Sequence, residues 1–264
     1  MTTADGTIRV YWFRRRPNFG DAIAPALLAR FAGLDAVWSE PSDCEAVVIG
    51  SVAGRVAHGY HGVIVGIGKL RDSVELDLST ARVLGLRGQL TARGSKAVGS
   101  YALGDPGLLA IDMLDERPAA LHPLGTVAHW KDTSLRDRYP GAFHIDVGDD
   151  PLLVIGQIAS CERIVSSSLH GLVVADSFGI PRRWEYSPDV GGGTFKFKDY
   201  ATALGVEIEP DAWDSAPPSR VERVRAELRD AFAAIPQALP QVRQERPGKG
   251  VRGYLRQLVG GFTR

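Results

Sequence analysis

Two short runs constrain the fold more than anything else in the chain. Ala46-Val47-Val48-Ile49-Gly50 and Val63-Ile64-Val65-Gly66-Ile67-Gly68 are uniformly apolar and end in glycine. A strand with one face in water alternates apolar with polar residues. Uniformly apolar strands separated by helix or loop belong to a parallel sheet covered on both faces. Thr7 to Phe13, rich in β-branched and aromatic residues, reads as the first strand, and Arg82 to Gly88 as the fourth. Ala102 to Leu109 closes this half, with Asp105-Pro106 as a turn and helix start. The charged, Pro-containing stretch Asp112 to Pro123 suits a linker. The rhythm then repeats, with strands at Gly125–Ala128, Ala142–Val147, Arg163–Ser166 and Pro181–Tyr186 and a helix over Pro151–Ala159. An amphipathic helix is expected over Val221–Ala234. The expected class is therefore α/β, with βαβ halves at 1–115 and 116–240, a cleft between them, and a basic tail over 241–264.

Two junctions of strand and helix stand out. Ser166-Ser167-Ser168-Leu169-His170-Gly171 follows a strand and opens an apolar run that Gly179 and Pro181 stop. Ligands of open α/β sheets bind beyond the carboxyl ends of strands, near helix N-termini. That makes the three serines and His170 site candidates; the plainer reading has serines that cap a helix and a histidine that is a structural hydrogen bonder. Asn18-Phe19-Gly20-Asp21 is the second junction, with Asp21 expected as the N-cap of the helix that follows and Arg14-Arg15-Arg16 before it. Arg87 stands at a strand end, placed for a carboxylate or phosphate. Asp105 reads as an N-cap at least as readily as a catalytic group. Gly191-Gly192-Gly193 precedes Lys196 and Lys198, which suits a lid closing on an anion or a solvated basic turn.

Composition narrows the classes. The 31 basic and 31 acidic residues cancel, which argues against a general nucleic-acid binder. Cys44 and Cys161 are the only cysteines, too few for a disulfide scaffold, so a cytoplasmic location is expected. His58 and His61 have no third ligand at metal spacing, and no metal is expected. The triple arginine gives way to no apolar stretch, so no signal peptide is expected. Arg243, Arg246, Lys249, Arg252, Arg256 and Arg264, interleaved with apolar residues, would let the tail touch an anionic membrane surface.

Several stretches together resemble the polysaccharide pyruvyl transferase family. They are Asn18-Phe19-Gly20-Asp21, Gly66-Ile67-Gly68, Leu86 to Arg93, Gly104-Asp105-Pro106, His129-Trp130, Ser168 to Gly171 with Gly179-Ile180-Pro181, and Phe195 to Tyr200. Their order and spacing carry the resemblance, from about residue 10 to residue 205. It implies two Rossmann-like domains facing a cleft, as in GT-B glycosyltransferases. It also implies phosphoenolpyruvate as donor with no further cofactor, a sugar acceptor that can be lipid-linked, and a cyclic pyruvate ketal plus phosphate as products. The family often has arginine where this chain has Ser168, so anion binding would fall to Arg87, Lys196, Lys198 or the loop arginines.

The chemistry needs an anion cradle, an acid and a base. Arg87, Lys196 and Lys198 are expected in the cradle, with N–H groups after Asn18 and Ser168. Gly20 and His129 line the site. His170 is expected as acid or as donor to the leaving phosphate, and Asp21 or Asp105 as the group that orients or deprotonates the acceptor hydroxyl. Two other readings share the scaffold. A nucleotide-sugar glycosyltransferase would use an acidic ribose ligand such as Glu185. A non-catalytic glycan-binding relative would account for Ser168.

Overall fold

The structure, a computed structural model, describes residues 6–16, 18–56 and 58–245, so the tail expected beyond Glu245, with Arg246, Lys249, Arg252, Arg256 and Arg264, lies outside the described residues. The first part runs β1 (Thr7–Val10), α1 (Phe19–Ala22), α2 (Ala24–Ala32), β2 (Asp35–Trp38), β3 (Ala46–Val47), β4 (Val63–Ile64), β5 (Arg82–Val83), β6 (Gly85–Leu86), α3 (Gln89–Ala92) and β7 (Ala102–Leu103), then a 3₁₀ helix over Pro106–Met113. The second part runs β8 (Gly125–Val127), α4 (Leu135–Arg138), β9 (Phe143–Ile145), α5 (Pro151–Ala159), β10 (Ile164–Ser166), α6 (Leu169–Ser177), β11 (Arg182–Trp184), α7 (Phe195–Leu204), β12 (Trp213–Asp214), α8 (Pro218–Ala233) and α9 (Ile235–Glu245).

The first sheet has the order β2-β1-β3-β4-β5 and is parallel throughout. A parallel pair, β6 and β7, adjoins it through the Ile67–Leu86 bridge. The second sheet has the order β12-β11-β10-β8-β9 and is parallel except for antiparallel β12. The α/β class expected from the apolar runs is observed. The strands are shorter than those runs, because Gly50 (φ 99°) and Gly66 (φ 67°) turn the backbone where a strand would continue. Val48, Ile49 and Val65 remain fully buried all the same. β2, α9 and the length of the 3₁₀ helix have no counterpart in the sequence reading.

α6 sits at the centre of the molecule. All nine of its residues are buried, and it has no polar face because it is covered on every side. The 3₁₀ helix, α5, β10 and β11 pack around it. Ser177 Oγ accepts from Ile111 N at 3.0 Å and donates to Leu108 O at 2.7 Å, which ties α6 to the 3₁₀ helix. Asp112 and Met113 lie in that helix, so the interval expected as a linker begins inside an element. Fully buried Leu172, Ile155 and Leu108 contribute roughly 1.5–3 kcal/mol each by leaving water.

The chain then returns to its beginning. α8 packs on α2, β7 and the 3₁₀ helix, and α9 on β4. Arg243 in α9 donates to Glu45 Oε1 at 2.6 Å and to Thr7 O at 3.1 Å. α9 thus crosses the boundary expected at 240, and Arg243, expected in a tail touching a membrane surface, is instead engaged with the first half.

Candidate active site

Strand order reverses once in each sheet. β1 leads to β2 on one side and has β3 on the other; β8 leads to β9 and has β10 on the other side. Chains leaving the carboxyl ends of such a strand pair diverge, and the crevice between them is where open α/β sheets hold ligands. Several of the expected site residues lie at these two places. Asn18–Asp21 follows β1 and Gly50 follows β3; His129 follows β8 and Ser167–His170 follows β10.

The two crevices meet. Phe19 N donates to Val147 O at 3.0 Å, docking α1 on the second half. The Phe19 ring stands edge-on to His170, centroids 6.4 Å apart. Gly20 lies so close to His170 that a Cβ there would fall on the imidazole, and a Cβ at Gly50 would fall on the Asp21 carboxylate. These glycines serve close approach. Asp21 is not the N-cap expected from the sequence: α1 starts at Phe19 with Asn18 in the cap position, and Asp21 is a buried member of the first turn. The Asn18 amide donates to Asp21 Oδ2.

Asp21, Asp105, His170 and Lys196 form a buried cluster, and Asp21, His170 and Lys196 are only 5–7% exposed. Asp105 has both readings that the sequence allowed. Its Oδ1 caps the 3₁₀ helix, accepting from Gly107 N at 2.9 Å, while Oδ2 faces His170 Nε2 at 3.8 Å. Asp21 Oδ1, Asp105 Oδ2 and His170 Nε2 are buried without hydrogen-bond partners among the described residues. Burial, reinforced by the Asp105 charge, pushes Asp21 up to about 7 against the pull of Lys196 and Arg87. Burial also holds His170 below its ordinary value, with Asp105 opposing and Lys196 and Arg87 assisting. Burial and the neighbouring Arg87 bring Lys196 down to about 8, while Asp21 acts the other way. Near neutrality the cluster therefore holds a carboxyl close to half protonation, a neutral imidazole and an ammonium.

His129 borders the cluster. Burial, with the Lys196 and Lys131 charges, drives it down to about 3, so its ring is neutral. Nδ1 accepts from Lys131 N at 3.2 Å, which leaves Nε2 as the protonated nitrogen and a donor. Its backbone N–H donates to Ser167 Oγ at 3.0 Å, and Ser167 in turn bonds Asp132. Ser166 is a brace: its hydroxyl is shared between Val127 O and Ser168 O, each at 2.8 Å. Ser168 stands at the N-cap of α6 and its side chain makes no capping bond.

Two expected cradle members sit elsewhere. Lys196 and Lys198 lie on helix α7, two positions apart and so on different faces. Lys198 points outward, half exposed, 4.0 Å from Glu209. Arg87 is fully buried and its donors are engaged: Nε to Asp199 Oδ2 at 2.9 Å, Nη1 to Ser51 Oγ and Nη2 to Lys69 O, both at 2.6 Å. Asp199 also accepts from Thr91 N and Thr91 Oγ1, and a Cβ at Gly88 would strike Asp199 O. Gln89 N reaches Thr202 Oγ1 at 2.8 Å. The segment Arg87–Thr91 is thus the dock for α7. Asp199, Thr91 and Asp132 escaped the sequence reading although Asp199 and Thr91 lie inside quoted motifs; their types alone do not tell a partner from a ligand. Glu185 accepts from Tyr139 Oη at 2.8 Å and lies 3.4 Å from both Arg138 and Arg183. Among the described residues no three His, Cys, Asp or Glu side chains are grouped as metal ligands, and no helix is long and apolar enough to cross a membrane.

Comparison with known proteins bears out the resemblance read from the sequence. The family model described as polysaccharide pyruvyl transferase matches residues 65–184. This span includes Arg87, Asp105, His129, Ser168 and His170, and leaves Asn18–Asp21 and Lys196 outside. The chain is 34% identical over 127 residues to uncharacterized protein L143 of Acanthamoeba polyphaga mimivirus, covering 42% of this chain and 43% of that protein. It is 27% identical over 218 residues to succinoglycan biosynthesis protein ExoV of Rhizobium meliloti (strain 1021), covering 76% of this chain and 66% of that protein. The chain therefore spans under half of one curated relative and about two thirds of the other.

Proposed function

We propose, with the polysaccharide pyruvyl transferase match over residues 65–184 as premise, that this chain is a transferase. It moves the pyruvyl group of phosphoenolpyruvate onto two hydroxyls of a sugar in a polysaccharide or its precursor, and no metal takes part. In this reading the two sheets form two Rossmann-like domains of GT-B type, working at the cytoplasmic face of a membrane. One observation carries the proposal: a proton-bearing carboxyl, a neutral imidazole and an ammonium meet where both sheets reverse their strand order.

The donor's anionic groups face Lys196, His129 Nε2–H and the backbone N–H groups that open α6. Asp21, protonated in part near neutrality, gives its proton to C3 of the enol, and C2 becomes oxocarbenium-like. The first acceptor hydroxyl bonds to C2 and loses its proton to His170, whose imidazole is neutral. The C2–O bond to phosphate then breaks, the second hydroxyl bonds to C2, and its proton returns to Asp21. His170 passes its proton to the departing phosphate. C3 has gained one proton, two hydroxyls have lost one each, and phosphate leaves with the remaining one. Burial is the reason for giving Asp21, rather than His170, the role of acid. Arg87 acts from behind, holding the helix that carries Lys196.

The test is phosphate release from phosphoenolpyruvate in the presence of an exopolysaccharide precursor, with the ketal methyl followed by proton NMR. Phosphate and a new methyl singlet are expected together, and both disappear in His170→Ala and Asp21→Asn. Stabilisation by UDP or GDP but not by phosphoenolpyruvate in a thermal-shift assay would overturn the reading in favour of a nucleotide-sugar enzyme.

A further inference from the structure

Beside the buried cluster, on the outer side of α1, a groove of about 490 Å³ opens between Arg14, Arg15 and Arg16 on one wall and Asp149 and Asp150 on the other, with Phe13 and Phe19 between. All three arginines are exposed. Among the described residues none of them has a carboxylate at ion-pair distance; two rest on tryptophans instead. The Arg14 guanidinium lies 3.5 Å over the Trp38 ring, and Trp38 is pinned by its own Nε1–H bond to Trp12 O at 3.0 Å. The Arg16 guanidinium lies 5.8 Å from the ring of Trp130, which comes from the second half and stacks on His129. Stacking uses the face of a guanidinium and leaves its N–H edge free, the edge that binds phosphate oxygens. On the opposite wall Asp150 caps α5, accepting from Leu152 N at 2.9 Å, and Asp149 is exposed.

We propose that this groove binds a phosphate-bearing sugar as acceptor, the arginine loop taking the phosphate and the Asp149–Asp150 wall facing the sugar hydroxyls. The assignment to the acceptor rests on the transferase reading above. Three unpaired guanidiniums exceed what a neutral sugar requires, and they match a phosphate or diphosphate linkage. The groove is also lined by Asn18, whose amide bonds Asp21, so an acceptor lying in it is one residue removed from the cluster that Lys196 shares.

Two measurements test this. In the first, inorganic pyrophosphate is titrated into the full chain by calorimetry. Binding that weakens with salt is expected, and the triple variant Arg14→Gln/Arg15→Gln/Arg16→Gln, checked for an unchanged melting curve, loses about tenfold or more in affinity. Equal affinity in the triple variant, or no binding by the unaltered chain, overturns the proposal. In the second, a neutral methyl glycoside, the sugar as a lipid-linked diphosphate and the sugar as a nucleoside diphosphate are compared as acceptors. A lower KM for either diphosphate form supports the proposal and identifies its source, with the difference shrinking in the triple variant; equal use of the methyl glycoside overturns it. If phosphoenolpyruvate is turned over with no acceptor at all, the transferase reading falls while the pyrophosphate titration still decides the groove.

Discussion

Asp21 shows how one buried carboxyl ties stability to pH. Its folded value, about 7, lies above the ordinary 3.8. The folded chain therefore holds the proton more tightly than the unfolded one. Asp21's contribution to stability is fully present below pH 3.8 and is lost as pH rises through 7. Asn keeps an acceptor for the Asn18 amide without acquiring charge. Asp21→Asn should leave the melting temperature nearly unchanged at pH 4 and raise it by roughly 5 °C at pH 8, while abolishing ketal formation. Differential scanning calorimetry across that range checks the sign; a larger gain at pH 4 would show that Asp21 is not held protonated by burial. Gly20 gives a second test. Its Cα abuts the His170 ring, whereas a Cβ at Gly141 would meet nothing. Gly20→Ala should destabilise by about 2 kcal/mol and stop turnover, and Gly141→Ala should stay within about 0.5 kcal/mol of the unaltered chain in urea unfolding. At this scale the sequence told residue types well and partners poorly. His170, Asp21 and Lys196 were legible because each follows a strand end or glycine hinge. Arg87 looked like a donor ligand because a free arginine and one paired with an aspartate 112 positions away read alike until the fold joins them.

α7 is the element through which the two halves are locked. Arg87 and Asp199 are both fully buried, and the pair is bonded further by Thr91. Removing one member strands the other charge, which is worse than removing both. Arg87→Met and Asp199→Leu should each destabilise by about 3 kcal/mol, while the double variant Arg87→Met/Asp199→Leu recovers most of that loss without recovering activity. Equilibrium unfolding of the four members of the cycle measures the coupling; additive losses would mean that the pair does not act as one unit. Thr91→Val, a gentler change, should lower kcat more than it raises KM, since it loosens the mount of Lys196. The helix Pro151–Ala159 was legible from its apolar run, and Leu169–Ser177 from the stop at Gly179 and Pro181. β2 was not, because an edge strand of four residues with alternating exposure (Asp35–Trp38) resembles the loop around it. The 3₁₀ helix was missed beyond its Asp-Pro start, because its apolar residues follow no helical period and are buried by α6 and α8 on either side.

The whole molecule is closed around its reactive groups. Asp21, His170 and Lys196 are almost wholly covered, and the proposed mechanism predicts that the donor is admitted by opening at the Gly191–Gly193 segment, where Gly192 (φ 92°) packs against Leu70 of the first half. Hydrogen exchange should find α7 amides slowed by phosphoenolpyruvate while α2 amides keep their rates; equal protection of both would place closure elsewhere. The overall α/β class was legible because uniformly apolar strands admit little else. The return of α8 and α9 to the first sheet was not, since an amphipathic helix carries no record of which surface it will cover. That return has a consequence for how the protein is made. The Glu45 carboxylate waits for Arg243, and β4 for α9. On a ribosome, the half that emerges first stays unfinished until nearly the last described residue has left the tunnel, while the second sheet can assemble beforehand. The order of synthesis and the order of completion are therefore opposed, and a stalled or shortened chain would expose the face of the first sheet to chaperones and proteases.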